Sequence, residues 1–409
     1  MRILIVSQYF WPESFRINDL AVELLKSGHE VEVLTGLPNY PEGRFYKGYK
    51  IFSKRIELYK GVKIYRVPLF PRLSGTSLML SLNYLSYIIF ASLFVFFSRK
   101  KYDYTVTFAV SPITQALPAL LHKFLYKSKS IIWLQDIWPE SVRAAGKVNN
   151  KYIYSFLEKL VLFIYRNTDK IMTQSRAFDE IILKKYNKKE KLIYFPYWAE
   201  DIYFDNECRD ELKFSHLFHN GFRIIFAGNI GEAQDFDAII KSAELLKERK
   251  DIKWYVLGDG RKRKWLEEQI TQKGLDSTVI LLGKFPVDEM PNFFIHADAM
   301  LLTLKDEYIF SLTIPSKLQS YMASSKPILT MLNGIGSILV EDSKSGFVAN
   351  AGDYKVLTKN ILYASSLPKS ELQIMGLSAK AYYDQNFSKV ELMKIMNSLL
   401  HCNDTLVTK

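Results

Sequence analysis

Two alternating periods govern this chain. Short apolar runs suited to strands, "RILIVS", "HEVEVLT", "YDYTVTF", "SIIWLQD" and "DKIMTQS", are separated by stretches with helical spacing, such as "RINDLAVELLKSG" and those around residues 113 to 126 and 149 to 166. A chain that alternates strand and helix in this way folds as a parallel, doubly wound α/β sheet, because a parallel neighbour needs a crossover and the crossover is a helix. The rhythm stops between Tyr197 and Phe222 and restarts with "RIIFAG", a helix near 234 to 249, "KWYVLGDG", a helix near 261 to 273, "VILLG", "DAMLLTL", a helix after Pro315 and "KPILTM". Two α/β domains of similar size are therefore expected. Their bounds are 1–200 and 223–385, joined by a linker at 201–222 and followed by a C-terminal helix and tail at 386–409 that packs back on the first domain. Within "FSKVELMKIMNSLL", Ser388 is the expected helix cap.

Length and composition agree with this. At 409 residues and 48% hydrophobic content the chain can bury two sizeable cores. Its two cysteines, Cys208 and Cys402, lack CxxC spacing, which argues against a disulfide framework or a zinc site and suits a reducing compartment. The opening "MRILIVS" reads as a strand rather than a secretory leader. A cytoplasmic location is expected. The formal charge of +12 is spread over "FSKRIELYKG", "SRKK", "KKYNKKEK" and "GRKRKW" without a stripe or a nucleic-acid motif, so nucleic acid is not the expected partner. Basic surface of this kind suits anionic lipid or phosphate-rich ligands.

One segment departs from the alternation. No charged residue occurs between Arg72 and Arg99, in "LFPRLSGTSLMLSLNYLSYIIFASLFVFFSRKK". It is long enough to span a bilayer, yet a span would divide one parallel sheet between two sides of the membrane. Two readings remain: a buried domain helix, or a membrane-associating segment, 74–98, that dips into one leaflet with Arg72, Arg99, Lys100 and Lys101 at the headgroups. The aromatic content and flanking cations favour the leaflet.

Chemistry concentrates in "TIPSKLQSYMASSKPIL". Pro315 is placed for the first turn of a helix, where its missing N–H costs nothing, and the free amides of that turn with Ser316 and Lys317 favour an anion such as phosphate. "FAGNIG" and "LGDGR" put Gly228, Gly231, Gly258 and Gly260 directly after strands, where backbone approaches a ligand closely. In "WLQDIWPES", Asp136 and Glu140 follow a strand and can orient a hydroxyl; the alternative is a capping or surface pair. Arg16, in "SFRIND", stands after the first strand, where it meets a phosphate or lies on the surface. The "DFD" at 235 to 237 reads as a helix start rather than a metal motif, and the six histidines form no spaced set, so no metal is expected.

In these motifs the chain resembles the retaining family 4 glycosyltransferases of the GT-B fold, and within them the O-antigen and capsule group that includes N-acetyl-L-fucosamine transferases. The likeness covers nearly the whole chain, through "SQYFWPESFRIND", "GHEVEVLTGLPNYPEG", "LQDIWPES", "AGNIGEAQDF", "LGDGR" and "TIPSKLQSYMASSKPIL". It implies two Rossmann-like doubly wound domains facing a central cleft. A UDP-sugar, a co-substrate rather than a cofactor, is then held by the C-terminal domain, and a polyprenyl-diphosphate-linked saccharide by the N-terminal domain, in peripheral attachment to the inner face of the plasma membrane. The donor-side residues it implies are Gly228, Asn229, Gly231, Gln234, Gly258, Gly260, Arg261, Pro315, Ser316, Lys317, Gln319 and Ser320, with Gln135 and Asn18 on the acceptor side. Lys317, Asp136, Glu140 and Arg16 are the candidates for catalysis. Asn229 and Gln234 stand where many members carry an arginine and a lysine, Leu312 and Ser320 where they carry paired glutamates, and Gln135 where a histidine is common. A UDP-N-acetylhexosamine 2-epimerase on the same fold and a non-catalytic membrane-bound scaffold are the competing expectations.

Overall fold

The computed structural model describes residues 1–51, 55–73, 75–144, 150–205 and 210–401. Cys208 and Cys402 lie outside them. The chain divides into two compact units, Met1–Phe195 with Met393–Lys409, and Pro196–Leu392. The residues read as a linker, 201–222, thus fall within the second unit, where short helical turns at Asp201–Tyr203 and Ser215–Leu217 explain the missing strand period.

The first unit holds eight strands: β1 (Arg2–Val6), β2 (Glu30–Gly36), β3 (Ile56–Tyr59), β4 (Val62–Val67), β5 (Tyr104–Ala109), β6 (Lys129–Leu134), β7 (Lys170–Thr173) and β8 (Leu192–Tyr194). Their order is β3-β4-β2-β1-β5-β6-β7-β8, parallel except for the β3–β4 hairpin at one edge. That hairpin turns through Lys60 and Gly61, both at positive φ (47° and 86°), the twist that a two-residue turn needs. The inner strands are buried along most of their length and mainly apolar because helices cover both faces of the sheet. These are α1 (Arg16–Lys26), α2 (Ser77–Ser98), α3 (Leu117–Tyr126), α4 (Glu140–Ala144), α5 (Lys151–Asn167) and α6 (Arg176–Lys185).

Helix α2 is the uncharged segment. It begins at Thr76, whose side chain accepts from the Met79 amide, and lays one face on the sheet. Tyr87, Ala91 and Val95 join Leu4, Val6, Leu34 and Val67 in a common core. Two polar side chains fix its N-terminal half. Asn83, fully buried, accepts from Gln8 Nε2 at 2.6 Å and donates to the Phe70 carbonyl at 2.5 Å, and Ser86 Oγ accepts from the Phe70 amide at 3.0 Å. The opposite face, with Leu78, Leu82, Leu85, Ile89, Leu93 and Phe97, is exposed. The helix is long and apolar enough to cross a membrane, yet it is neither a wholly buried core helix nor a free one. Lys100, expected at headgroups, instead binds the buried Glu32 at 2.8 and 2.9 Å, so it serves the sheet.

The second unit holds β9 (Phe222–Ala227), β10 (Ile252–Leu257), β11 (Val279–Gly283), β12 (Ala299–Thr303), β13 (Ile328–Met331) and β14 (Gly346–Ala349), all parallel, in the order β11-β10-β9-β12-β13-β14. Around them lie α7 (Phe236–Leu245), α8 (Arg263–Gln272), α9 (Met290–Phe294), α10 (Tyr308–Leu312), α11 (Ser316–Ala323), α12 (Ile335–Asp342), α13 (Tyr354–Ser366) and α14 (Lys369–Asn386). Its core sits between β9, β10, β12 and β13 and the apolar faces of α7, α8 and α13. The order reverses between β9 and β12, which makes the carboxyl ends of these two strands the switch point where doubly wound sheets take ligands. A last helix, α15 (Lys389–His401), begins after Ser388, whose carbonyl accepts from the Leu392 amide at 3.0 Å. From Met393 onward it belongs to the first unit, where Asn397 meets His29 at 3.2 Å and the Leu399 carbonyl accepts from Tyr104 at 3.4 Å.

Candidate functional site

Three strand ends build the site in the second unit. The loop after β9 and the loop after β10 are zipped together by backbone: the Gly228 amide donates to Leu257 O at 2.8 Å, Ile230 N to Asp259 O at 2.8 Å and Lys262 N to Ile230 O at 3.0 Å. Gly258, at φ 145°, would drive a Cβ to 1.8 Å from the Gly228 carbonyl, and Gly260 would meet Ile230 O at 2.3 Å. These two glycines are required by the approach of one loop to the other, where the sequence suggested approach to a ligand. Gly228, at φ 139°, is required for a different reason: a Cβ there would lie 2.3 Å from Lys317 Cε.

Lys317 stands in the first turn of α11. Pro315 is the N-cap rather than a first-turn residue, and it offers no side-chain oxygen to the helix amides. The Lys317 side chain runs behind Gly228 and rests its Nζ 3.9 Å from the centre of the Phe226 ring. That Nζ is buried and makes no hydrogen bond. Burial without an anionic partner pulls its pKa down to about 7. An ammonium so placed at a helix N-terminus is poorly solvated, and an incoming anion gives it the partner it lacks.

A cavity of about 550 Å³ opens at this point. Gly228, Asn229, Gly258, Gly260, Ser316, Lys317 and Ser320 line it. Of the other donor-side residues, Gln319 is buried with its side-chain amide turned to the carbonyls of Pro315 and Ser316, 3.0 Å from each, and Arg261 is exposed. Gln234 gives its carbonyl to Thr303, and Gly231 lies against Asn229 and Gln234. None of these four, nor Pro315, is on the cavity wall. The wall also holds residues without a local signature: Glu200 from the end of the expected first domain, Tyr203 from the expected linker, and Phe285, Val287, Met290 and Phe294 from the loop and helix after β11. Glu200 Oε2 accepts from Ser320 Oγ at 3.0 Å. Tyr203 stacks on Phe294 at 5.7 Å, and Phe294 meets the edge of Tyr321 at 5.6 Å. Only a three-dimensional fold could bring "WAEDIY" beside α11; nothing in its local pattern marks it.

In the first unit the switch point falls between β1 and β5, and the Gln8 amide is tied there to Gln115 Oε1 at 2.9 Å. Here Tyr9, Phe15 and Tyr40 pack ring on ring at 5.5 to 5.6 Å, and the Arg72 guanidinium lies 5.2 Å over Tyr40. Arg72 and Asp136 both act on Tyr84 of α2. Burial raises the Asp136 carboxyl above its usual range, opposed by the nearby polar groups of Ser141, Ile137, Trp138 and Ser111. Glu13 is a further buried acid that the sequence reading missed. It accepts from the amides of Asn39 and Tyr40 at 2.9 and 2.7 Å, and burial lifts it to about 7.

The other first-unit candidates have structural partners. Glu140 pairs with Lys185 at 2.5 Å, and Lys185 also pairs with Glu158 at 2.8 Å. Arg16 binds Asp19 at 2.7 Å, and Asn18 is buried between the Trp11 amide and the Glu13 carbonyl, at 3.2 and 2.7 Å. Gln135, half-buried, donates to the Trp133 carbonyl at 3.4 Å. In "DFD", Asp235 takes positive φ at the start of α7 and Asp237 pairs with Lys262 at 2.8 Å. Among the described residues no three His, Cys, Asp or Glu side chains gather as a cation site.

Residues 209–380 match the family described as Glycosyl transferases group 1. Among curated proteins the chain is similar to the probable glycosyltransferase WbjE of Pseudomonas aeruginosa, with 26% identity over 300 residues, 71% of this chain and 73% of that one. It is also similar to the putative colanic acid biosynthesis glycosyl transferase WcaI of Escherichia coli (strain K12), 24% identical over 341 residues, 79% of this chain and 81% of that one. Among solved structures it superposes on Anabaena Alr3699/HepE in complex with UDP with a TM-score of 0.69 at 14% identity, covering 98% of this chain and 99% of that one. WaaG, a glycosyltransferase involved in lipopolysaccharide biosynthesis, gives 0.67 at 16% identity, over 98% and 100%. The chain is built from two Rossmann-like units of the GT-B fold and is similar to glycosyltransferases, with the group 1 match lying within its second unit.

Proposed function

We propose that the enzyme transfers a sugar, N-acetyl-L-fucosamine, from a UDP-linked donor to a polyprenyl-diphosphate-linked saccharide during assembly of a surface polysaccharide, with retention of configuration. The observation that carries the donor assignment is the buried, unpartnered Nζ of Lys317 at the N-terminus of α11, inside a cavity of nucleotide size. A diphosphate bound there meets the ammonium and the first-turn amides. These stabilise the charge that grows on the leaving phosphate, the main electrostatic demand of the reaction, without a metal cofactor. UDP is supported by the complex of the HepE neighbour, and surface polysaccharide by the colanic acid relative. The sugar and the retention of configuration rest on the sequence resemblance.

The acceptor side falls to the first unit, with Asp136 orienting the attacking hydroxyl. The outward apolar face of α2 supports a protein held against the inner leaflet of the plasma membrane from the cytoplasm, where a polyprenyl acceptor is carried.

Calorimetry of the purified protein against UDP, GDP and a panel of their sugar conjugates tests the donor. UDP-selective binding that tightens with an N-acetylated deoxysugar, and that falls at least about tenfold in Lys317→Met, is the expected result. Selective binding of GDP would replace the donor, and failure of every nucleotide to bind would remove the assignment of the cavity.

A further inference from the structure

We infer that the groove between α2 and the β3–β4 hairpin receives the isoprenoid chain of the acceptor, with Arg72 and the hydroxyls of Tyr9 and Tyr84 holding the phosphate groups to which that chain is joined. This rests on the reading of the acceptor as a lipid-linked diphosphate. The groove lies wholly in the first unit and encloses about 600 Å³, within the roughly 300–1,000 Å³ of ligand pockets. Val67 and Leu69 form its floor, with Phe90, Phe94 and Phe97 of α2 on one wall and Ile56 of β3 on the other. Phe97 is 72% exposed and Ile56 61%, so an apolar cavity stands open to water, which favours an apolar occupant. Arg66, which also borders the groove, is paired with Glu57 and belongs to the sheet.

The end of the groove supplies a site for the head. Phe70 is the last of the wall residues in the run that begins at Tyr65, and it is fixed there: its amide donates to Ser86 Oγ at 3.0 Å and its carbonyl accepts from Asn83. Two residues on, the Arg72 amide donates to Asn39 Oδ1 at 3.2 Å. Its guanidinium lies over Tyr40 and beside Tyr84 of α2, and among the described residues no carboxylate pairs with it. The Tyr9 hydroxyl, on a side chain 2% exposed, stands in the field of Arg72 and has no hydrogen-bond partner among the described residues. A guanidinium without an ion pair and a buried, unpaired O–H are donors that phosphate oxygens accept from. Glu13 and Asp136 reach the same cluster, and burial disfavours the charged form of each, which lessens their repulsion of an anion. A cation with two phenols at the end of an apolar groove matches a phosphate head on a prenyl chain. The groove also includes Leu93, on the face of α2 that supports leaflet contact, so the way from bilayer to groove is short.

The test measures binding of isopentenyl, geranyl and farnesyl diphosphate by calorimetry, in Lys317→Met and in the wild type saturated with UDP, so that the donor cavity does not compete for the diphosphate. Each added isoprene unit should tighten binding, with farnesyl diphosphate at least about tenfold above isopentenyl diphosphate. Ile56→Glu, at an exposed position on β3 and apart from α2, should bring farnesyl diphosphate down to near the affinity of isopentenyl diphosphate. Ile56→Trp, which fills the groove without adding charge, should do the same and serves if the glutamate variant does not fold. Arg72→Met should weaken all three by about tenfold and keep the ratio between them. An unchanged affinity in Arg72→Met overturns the head site. A gain with chain length that survives both changes at Ile56, or no gain at all, overturns the groove and leaves the lipid-linked acceptor standing. Displacement of farnesyl diphosphate by dihexanoyl phosphatidylglycerol at equal concentration would give the groove to a leaflet lipid and overturn it likewise. Failure of farnesyl diphosphate to bind overturns both the groove and the acceptor reading.

Discussion

Lys317 concentrates the physical interest of the molecule in one side chain. With no ligand its pKa lies at about 7, against an ordinary 10.5, because burial disfavours the charged form. The unfolded chain then binds more protons than the native one between those values, so the stability of the ligand-free protein should rise with pH across that window, as urea titrations at pH 7 and 9 can show. A bound diphosphate pulls the other way, since it favours the ammonium. Binding therefore takes up a proton above pH 7, and the Kd for UDP should climb toward tenfold per pH unit between pH 7 and 9. The slope should vanish in Lys317→Met; a slope that persists there would assign the proton to another group. Gly258 makes a second prediction at this scale. Alanine would set a Cβ 1.8 Å from a backbone oxygen at a φ that side chains rarely adopt, and should cost about 2–4 kcal/mol in chemical denaturation. The sequence pointed to the glycines and to Lys317 because both have local signatures: glycine after a strand, and proline, serine and lysine at a helix start. It could not point to Glu200, Glu13 or Tyr203, whose importance comes from partners far away in the chain or across a cavity. Glu140, whose place after a strand suggested chemistry, pairs one carboxylate oxygen with Lys185 and keeps the other buried without a hydrogen bond, an arrangement no local pattern shows.

At the scale of elements, α2 combines two kinds of surface on one helix. Asn83 and Ser86 tie the inner face to Gln8 and to residue 70, and Leu82, Leu85, Ile89 and Leu93 stand on the outer face. Substitutions on the two faces should therefore separate. Asn83→Leu strands the Gln8 amide and the Phe70 carbonyl and should cost about 2–4 kcal/mol, read by denaturation. Changing Leu82, Leu85, Ile89 and Leu93 together to serine should leave stability nearly unchanged, because exposed positions contribute little, while moving the protein from the membrane fraction to the soluble one. Unchanged membrane recovery would end the leaflet reading. Hydropathy alone showed the helix; the pattern of asparagine and serine on one side, which sets its orientation, lies below the noise of an almost wholly apolar run. The β3–β4 hairpin went unread for a related reason, since a short edge strand that is half exposed carries little apolar signal.

At the scale of the whole molecule, the alternation of strands and helices specified both sheets and their parallel sense, since each buried strand reads as an apolar run and each crossover as a helix. Strand order was not legible, because it depends on which faces pair and not on any local period. The division of the chain was read at 201–222 and falls instead at Phe195 and again at Leu392, within the last helix. Removing residues 393–401 takes away the Asn397 and Leu399 contacts of β5 and of His29, and should leave the first unit more open to protease than the second. Equal resistance of both units would show that this segment is dispensable.

That double crossing has a consequence for how the protein comes into being. The strands of the first unit leave the ribosome first, yet the segment that completes the unit emerges only after all of the second has been made. The contacts of Asn397 and Leu399 with the first unit can therefore form only once the whole of the second unit has been made, so this packing comes last in synthesis.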